Sequence, residues 1–212
     1  MVDPMTFLRI LAAICKKHHV VLISDEVHCD ILRKGVRHYP LAAVVDDLSN
    51  IVVLNAVNKT FNLAGLSCSN AIIADDQLRL AYKKTMGMRM PTPFAVAALI
   101  SAYNEGEEWL DQVNDYIDGN IDAVQAFLQE RMPKVKLWRP EGTYCLWLDF
   151  NGYGLSHEKI EDRIYGKANV MLQSGLVHDP EFGTGFERVC LPAARSVIME
   201  AFERIAKQFE DS

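Results

Sequence analysis

The sequence predicts an α/β protein: an incomplete, mostly parallel sheet with covering helices, followed by a smaller α+β part. Three observations carry this. Short apolar runs at 20–24, 51–54 and 70–74 alternate with segments of helical periodicity, as in a parallel sheet whose crossovers are helices. The stretch 107–131 keeps Trp109, Leu110, Val113, Ile117, Ile121, Val124, Phe127 and Leu128 on one face and reads as one long helix. Beyond it, short strand-like runs at 135–138, 144–149, 170–172 and 186–191 are mixed with helices. The change of character at the long helix predicts two domains, 1–108 and 109–212.

The first predicted element is a helix over 6–19. Phe7, Leu8, Ile10, Leu11 and Ile14 supply its apolar face, and Lys16 and Lys17 suit its C-terminal dipole. After the first strand, 41–48 is a short helix, and 75–84 is a helix after a turn. Pro91 and Pro93 bracket a break, and a helix resumes over 94–103. The long helix opens with acids and closes with Arg131. Ser156 caps a helix over 156–166, and 195–209 is the closing helix.

Half of the 212 residues are hydrophobic and 24% are charged, an ordinary globular composition with room for a core. The net charge of -6 argues against broad binding to nucleic acid or anionic membrane. No run is apolar and long enough to span a bilayer, and the N-terminus lacks a signal-peptide pattern. The five cysteines are scattered and show no CxxC spacing. Reduced thiols in a cytoplasmic protein fit them better than a disulfide framework or a metal site.

The chemistry is expected at two strand ends. The run 51–54 breaks into Asn55-Ala56-Val57-Asn58-Lys59-Thr60-Phe61, and the run 20–24 ends in Asp25-Glu26-Val27-His28-Cys29-Asp30. Ligands of open α/β sheets bind at carboxyl strand ends. A lysine there, partly desolvated, becomes a nucleophile toward carbonyls, although most lysines are simply solvated. Asp25 and Lys59 lie 34 residues apart, enough for a crossover and a second strand. Pyridoxal phosphate needs this pair, an amine for its aldehyde and a carboxylate for its ring nitrogen.

Ser24-Asp25-Glu26-Val27-His28-Cys29-Asp30 and Asn58-Lys59-Thr60-Phe61-Asn62-Leu63-Ala64-Gly65-Leu66 together resemble the class I/II aminotransferase superfamily of fold type I. They resemble most its MalY/PatB branch of carbon–sulfur β-lyases. Two later stretches agree: Pro140-Glu141-Gly142-Thr143-Tyr144-Cys145-Leu146-Trp147-Leu148-Asp149, and Phe182-Gly183 with Gly185-Phe186-Glu187-Arg188. The resemblance runs from about Thr6 to the end and covers only the C-terminal portion of the family's chain.

The resemblance implies a pyridoxal 5'-phosphate enzyme that cleaves the Cβ–S bond of cystathionine or a cysteine conjugate, giving thiol, pyruvate and ammonia. It leaves two alternatives: an aminotransferase, or a catalytically incomplete fragment with a binding role. It implies that Lys59 bonds the cofactor aldehyde, that Asp25 pairs with the ring nitrogen, and that His28 lies by the O3′ oxygen. Asn58 flanks the lysine where a phosphate-binding hydroxyl often stands in the superfamily, and Ser67 is a further phosphate candidate. Arg188 matches the arginine that clamps the substrate carboxylate, with Arg195 as a rival. Tyr144 lies on a strand that resembles one facing the substrate. The family's usual Arg-x-Asn is here Arg188-Val189-Cys190. A homodimer is expected, as is a missing N-terminal half bearing the remaining cofactor contacts.

Overall fold

The computed structural model describes residues 3–87 and 89–211. The chain divides into two compact units, Met1–Gln112 and Val113–Ser212.

In the first unit, helix α1 (Pro4–Lys17) begins earlier than its apolar pattern. Asp3 caps it by accepting from the Thr6 N–H at 2.9 Å, and Pro4 fits the first turn, where no N–H is needed. Strand β1 (Leu22–Asp25) follows, then α2 (Leu41–Val44), β2 (Ile51–Asn55), the one-turn α3 (Val57–Thr60), β3 (Asn70–Ile73), α4 (Asp76–Met86) and α5 (Pro93–Glu105). Asp75 caps α4, and Thr92 caps α5. Helix α6 (Glu107–Arg131) carries the chain into the second unit.

The sheet order is β1-β2-β3. Strands β1 and β2 are parallel, with Leu22 opposite Ile51 and Asp25 opposite Leu54. Strand β3 returns antiparallel to β2, a departure from the parallel run predicted by helix–strand alternation. Between β2 and β3 lie only α3 and a 3₁₀ turn at Ala64–Leu66, with Asn62 and Ser67 in left-handed backbone. Those turns reverse the chain, where a parallel connection needs a full crossover.

One face of this sheet is covered. Ile51 and Val53 pack with Ala12 of α1 and Leu41 of α2, ringed by Leu8, Leu22, Ala42, Val45 and Leu48. On the opposite face Val52 and Ile73 are buried, while Ile23, beside Val52, is 60% exposed; Ile72, beside Val53, is 52% exposed, and Phe7, Ile10 and Ile14 of α1 are likewise more than half exposed.

The second unit holds β4 (Lys136–Leu137), β5 (Cys145–Asp149), α7 (His157–Glu161), β6 (Gln173–Ser174), β7 (Phe186–Cys190) and α8 (Arg195–Ala206). Its sheet is antiparallel, in the order β4-β5-β7-β6. Leu146, Leu148, Glu187 and Val189 point to the buried side, where Ile117, Ile121 and Val124 of α6 and Phe202 and Ile205 of α8 are also buried. The alternate residues, Cys145, Trp147 and Arg188, are half-buried, and Cys190 is exposed, so they share the other face.

Three predicted elements shift. The strand expected at 170–172 is instead Gln173–Ser174. Helix α7 runs on as a π-helical stretch, Asp162–Lys167, and the Val170 N–H still bonds back to the Ile164 carbonyl at 3.0 Å. Ser156 occupies the N-cap position of α7 but makes no capping bond; its side chain bonds Glu158 instead. The closing helix ends at Ala206.

Candidate functional site

The carboxyl ends of β1 and β2 lie side by side. Asp25 is the last residue of β1, and the next N–H, of Glu26, still donates to Leu54 of β2 at 2.8 Å. The loop 25–30 therefore leaves the sheet at the end where α3 begins. Asp25 is exposed, and its carboxylate accepts from the Val27 N–H at 3.3 Å. Lys59 is exposed on α3, beside the half-buried Asn58.

One hydrogen bond joins the two segments. The Thr60 hydroxyl, 1% exposed, donates to Asp30 Oδ2 at 2.8 Å. It links the turn that carries the lysine to the loop that carries the acid, across 30 residues of sequence. Asn55, the last residue of β2, adds a second link through Nδ2 to Cys29 Sγ at 3.3 Å. The Tyr103 hydroxyl of α5 donates to Asn55 Oδ1. Phe61 meets the Tyr103 ring edge-on, 5.9 Å between centroids, and lies against Gly106, where a Cβ would fall 2.4 Å from the Phe61 ring.

Glu26 fixes the base of the loop. It is 7% exposed, and its carboxylate accepts from Ser24 Oγ and the Leu41 N–H, both at 2.9 Å, while His38 Nε2 lies 3.0 Å from its second oxygen. A buried carboxylate with this many partners holds the chain in one path. Burial, with Asp30 adding to it, pushes the Cys29 thiol up to about 12. It thus stays protonated at neutral pH, its Sγ 3.4 Å from Asp30 Oδ1, and is not a nucleophile. Burial also raises the Tyr103 phenol, again helped by Asp30, so that hydroxyl remains a donor.

His28 is half-buried in the same loop, and its carbonyl accepts from the Ile31 N–H. The side-chain carbonyl of Asn58 is buried and has no hydrogen-bond partner among the described residues. Ser67 is exposed in left-handed backbone at the end of the 3₁₀ turn. The structure thus brings the segments of Asp25, His28, Asn58 and Lys59 to one end of the parallel pair and places Ser67 farther along the chain. Sequence reasoning did not single out Asn55, Thr60, Tyr103 or Glu26. Glu26, Asn55 and Thr60 lie inside the two runs read as strand ends, whereas Tyr103 carried no local signal.

In the second unit, Arg188 lies opposite Trp147 on the outer face of the sheet. Its Nη2 donates to Cys145 Sγ at 3.3 Å and to Cys190 Sγ at 3.8 Å. The Tyr144 hydroxyl lies within electrostatic reach of this group: burial raises its pKa, Cys145 and Cys190 add to the rise, and Arg188 opposes it. Burial and Cys145 raise the Cys190 thiol. Arg195 is committed elsewhere, with its Nε donating to Asn120 Oδ1 at 3.0 Å and its guanidinium over the Tyr116 ring. His178 and Asp179 lie in the loop before β7, His178 edge-on to Trp147 and Asp179 bonding the Glu181 and Phe182 N–H groups.

The family described as aminotransferase class I and II matches residues 4–205. The chain belongs to that family. Among curated relatives, it is 37% identical over 199 residues to the cystathionine beta-lyase PatB of Bacillus subtilis (strain 168), covering 92% of this chain and 51% of that protein. Among solved structures, cystalysin from Treponema denticola, which contains a pyridoxal 5'-phosphate cofactor, superposes with a TM-score of 0.88 at 32% identity, over 96% of this chain and 52% of that one. The PLP-bound C-S lyase from Staphylococcus hominis gives a TM-score of 0.88 at 31% identity, over 99% and 54%. The chain spans about half the length of the curated relatives it matches. Within the aminotransferase family, the likeness to PatB agrees with the MalY/PatB pattern of the Asp25 and Lys59 segments.

Proposed function

We propose that this chain carries the cofactor-bonding part of a pyridoxal-phosphate-dependent carbon–sulfur β-lyase acting on cystathionine or other cysteine conjugates. The observation that carries the reading is the Thr60–Asp30 bond, which ties the lysine turn to the acid loop at the carboxyl end of a parallel strand pair. The residues present suit the cofactor: an exposed amine, an exposed carboxylate and a buried, unsatisfied side-chain oxygen on Asn58 all belong to these two segments.

Bound there by Lys59 and Asp25, with His28, Asn58 and Ser67 as further contacts, the cofactor would supply the electron withdrawal that lets a thiolate leave Cβ. Lys59, the amine of these segments, would move the proton at the substrate's Cα as a general base. Arg188 receives the substrate carboxylate through two parallel hydrogen bonds, which fixes the orientation of the Cα substituents. Tyr144, kept protonated, is a donor in the same part of the second unit.

The family also supports an aminotransferase with the same residues, which would yield a 2-oxo acid in place of pyruvate and thiol. Exposed apolar residues on α1 (Phe7, Ile10 and Ile14) and on opposite faces of the sheet (Ile23 and Ile72) favour a second feature of the reading. We assign these exposed residues to a cover, either a second copy in a cytoplasmic homodimer or a further N-terminal segment. In the absence of that cover, the isolated chain would bind cofactor weakly.

The test is an absorbance scan on adding pyridoxal phosphate, followed by product analysis with cystathionine. A visible band that disappears in Lys59→Ala, with pyruvate and thiol formed, supports the lyase. A band that survives in Lys59→Ala contradicts the assignment of the lysine. A 2-oxo acid without thiol selects the aminotransferase.

A further inference from the structure

Two cysteines that lie 45 residues apart in sequence meet in the second sheet. Strands β5 and β7 place Cys145 directly opposite Cys190. One step along, the Leu191 N–H donates to the Tyr144 carbonyl at 2.9 Å, so Tyr144 and Leu191 form a hydrogen-bonded pair. The cysteines therefore occupy the alternate, non-hydrogen-bonded kind of site, where opposing Cα atoms approach to about 4.5 Å. That spacing lies inside the span of a disulfide. Their sulphurs stand 3.5 Å apart and need to close to about 2.05 Å, a change that side-chain rotation can supply. Cys190 is exposed and Cys145 half-buried, so an oxidant reaches the pair from the outer face.

Arg188 lies over both sulphurs, donating from one nitrogen to Cys145 at 3.3 Å and to Cys190 at 3.8 Å. The two contacts depend on where the thiols stand. We infer that Cys145 and Cys190 form a reversible disulfide under a peroxide, and that closing it releases the Arg188 guanidinium from both sulphurs.

The chemistry balances with hydrogen peroxide as oxidant. The exposed Cys190 sulphur gives up its proton as it attacks one peroxide oxygen; the O–O bond breaks, that proton goes to the departing oxygen, and sulfenic acid and water form. The Cys145 sulphur then attacks the sulfenic sulphur; the S–S bond forms, the S–O bond breaks, and a second water leaves. Two thiols lose two electrons and two hydrogens, and one peroxide becomes two waters. A dithiol reductant reverses the bond by exchange. The other cysteines are placed differently: Cys68 is buried, the Cys29 thiol is held protonated, and Cys15 lies on α1 of the first unit. The inference goes beyond the lyase reading and does not require the chain to be active.

The experiment treats the 212-residue chain with hydrogen peroxide, alkylates the remaining thiols and measures intact mass and a peptide map. Free thiols are expected to fall from five to three, with two hydrogens lost per chain and one cross-link joining Cys145 to Cys190. Dithiothreitol should restore all five. Cys145→Ser and Cys190→Ser should each abolish the cross-link, and the exposed Cys190 site gives a variant that leaves the core untouched. In parallel, the Arg188 Nε–Hε resonance, identified by its loss in Arg188→Lys, should shift on oxidation in the parent chain and stay put in Cys190→Ser. Five thiols surviving, or a link between other cysteines, overturns the disulfide. A Cys145–Cys190 link with no shift of the Arg188 resonance overturns its coupling to the arginine.

Discussion

The smallest features decide most. Thr60 spends its only hydroxyl on Asp30 in a fully buried position. Thr60→Val keeps the shape and removes the donor, leaving Asp30 Oδ2 without it. The expected cost is about 1–3 kcal/mol in urea unfolding, with Thr60→Ser recovering most of it. Glu187 makes a separate, pH-linked prediction. It is fully buried, its Oε2 accepts from Tyr165 at 2.5 Å, and its Oε1 has no partner among the described residues. Burial pushes its carboxyl up to about 7 from an ordinary value of 4.5. Between those two values, the folded chain holds a proton that the unfolded chain has released. The stabilisation is therefore fully present below about pH 4.5 and is lost as pH rises to about 7. Thermal unfolding of the parent chain should show that loss, and Glu187→Gln should flatten it.

Among the elements, close backbone approaches are as telling as helices and strands. In the loop between β6 and β7, a Cβ on Gly183 would lie 2.3 Å from the Gly175 carbonyl oxygen and 2.5 Å from that of Asp179. Gly183→Ala should lower stability by about 1–3 kcal/mol, read as a fall in the unfolding midpoint, because backbone cannot yield as a side-chain tip can. The sequence told much at this scale. The apolar runs ending in Asp25 and before Lys59 marked two strand ends because burial and its abrupt end are local signals. The start of α1 at Pro4 was missed because the periodicity of Phe7 to Ile14 says nothing about the Asp3 cap. The strand at 170–172 was misplaced because Val170 and Leu172 are apolar in either setting, and the π-helical stretch before them is not written in local pattern. Cys145 facing Cys190, and Thr60 facing Asp30, were beyond reach, since each depends on long-range register or packing.

For the molecule as a whole, the balance of covered and open apolar surface matters most. The first unit has a covered core around Ile51 and Val53, yet leaves Phe7, Ile10, Ile14, Ile23 and Ile72 open. Isolated surface apolar residues are ordinary, but several on one helix and one sheet invite a cover. The folded chain should bind an apolar dye, and Ile23→Lys together with Ile72→Lys should reduce that binding without altering the circular dichroism. We assign the lysine after β2, Lys59, as the amine that meets the cofactor. Borohydride reduction of the chain mixed with pyridoxal phosphate, followed by peptide mass mapping, reads this directly. A single dominant label, on Lys59, is expected; labels spread evenly over the surface lysines, with Lys59 no more marked than the others, would rule that assignment out.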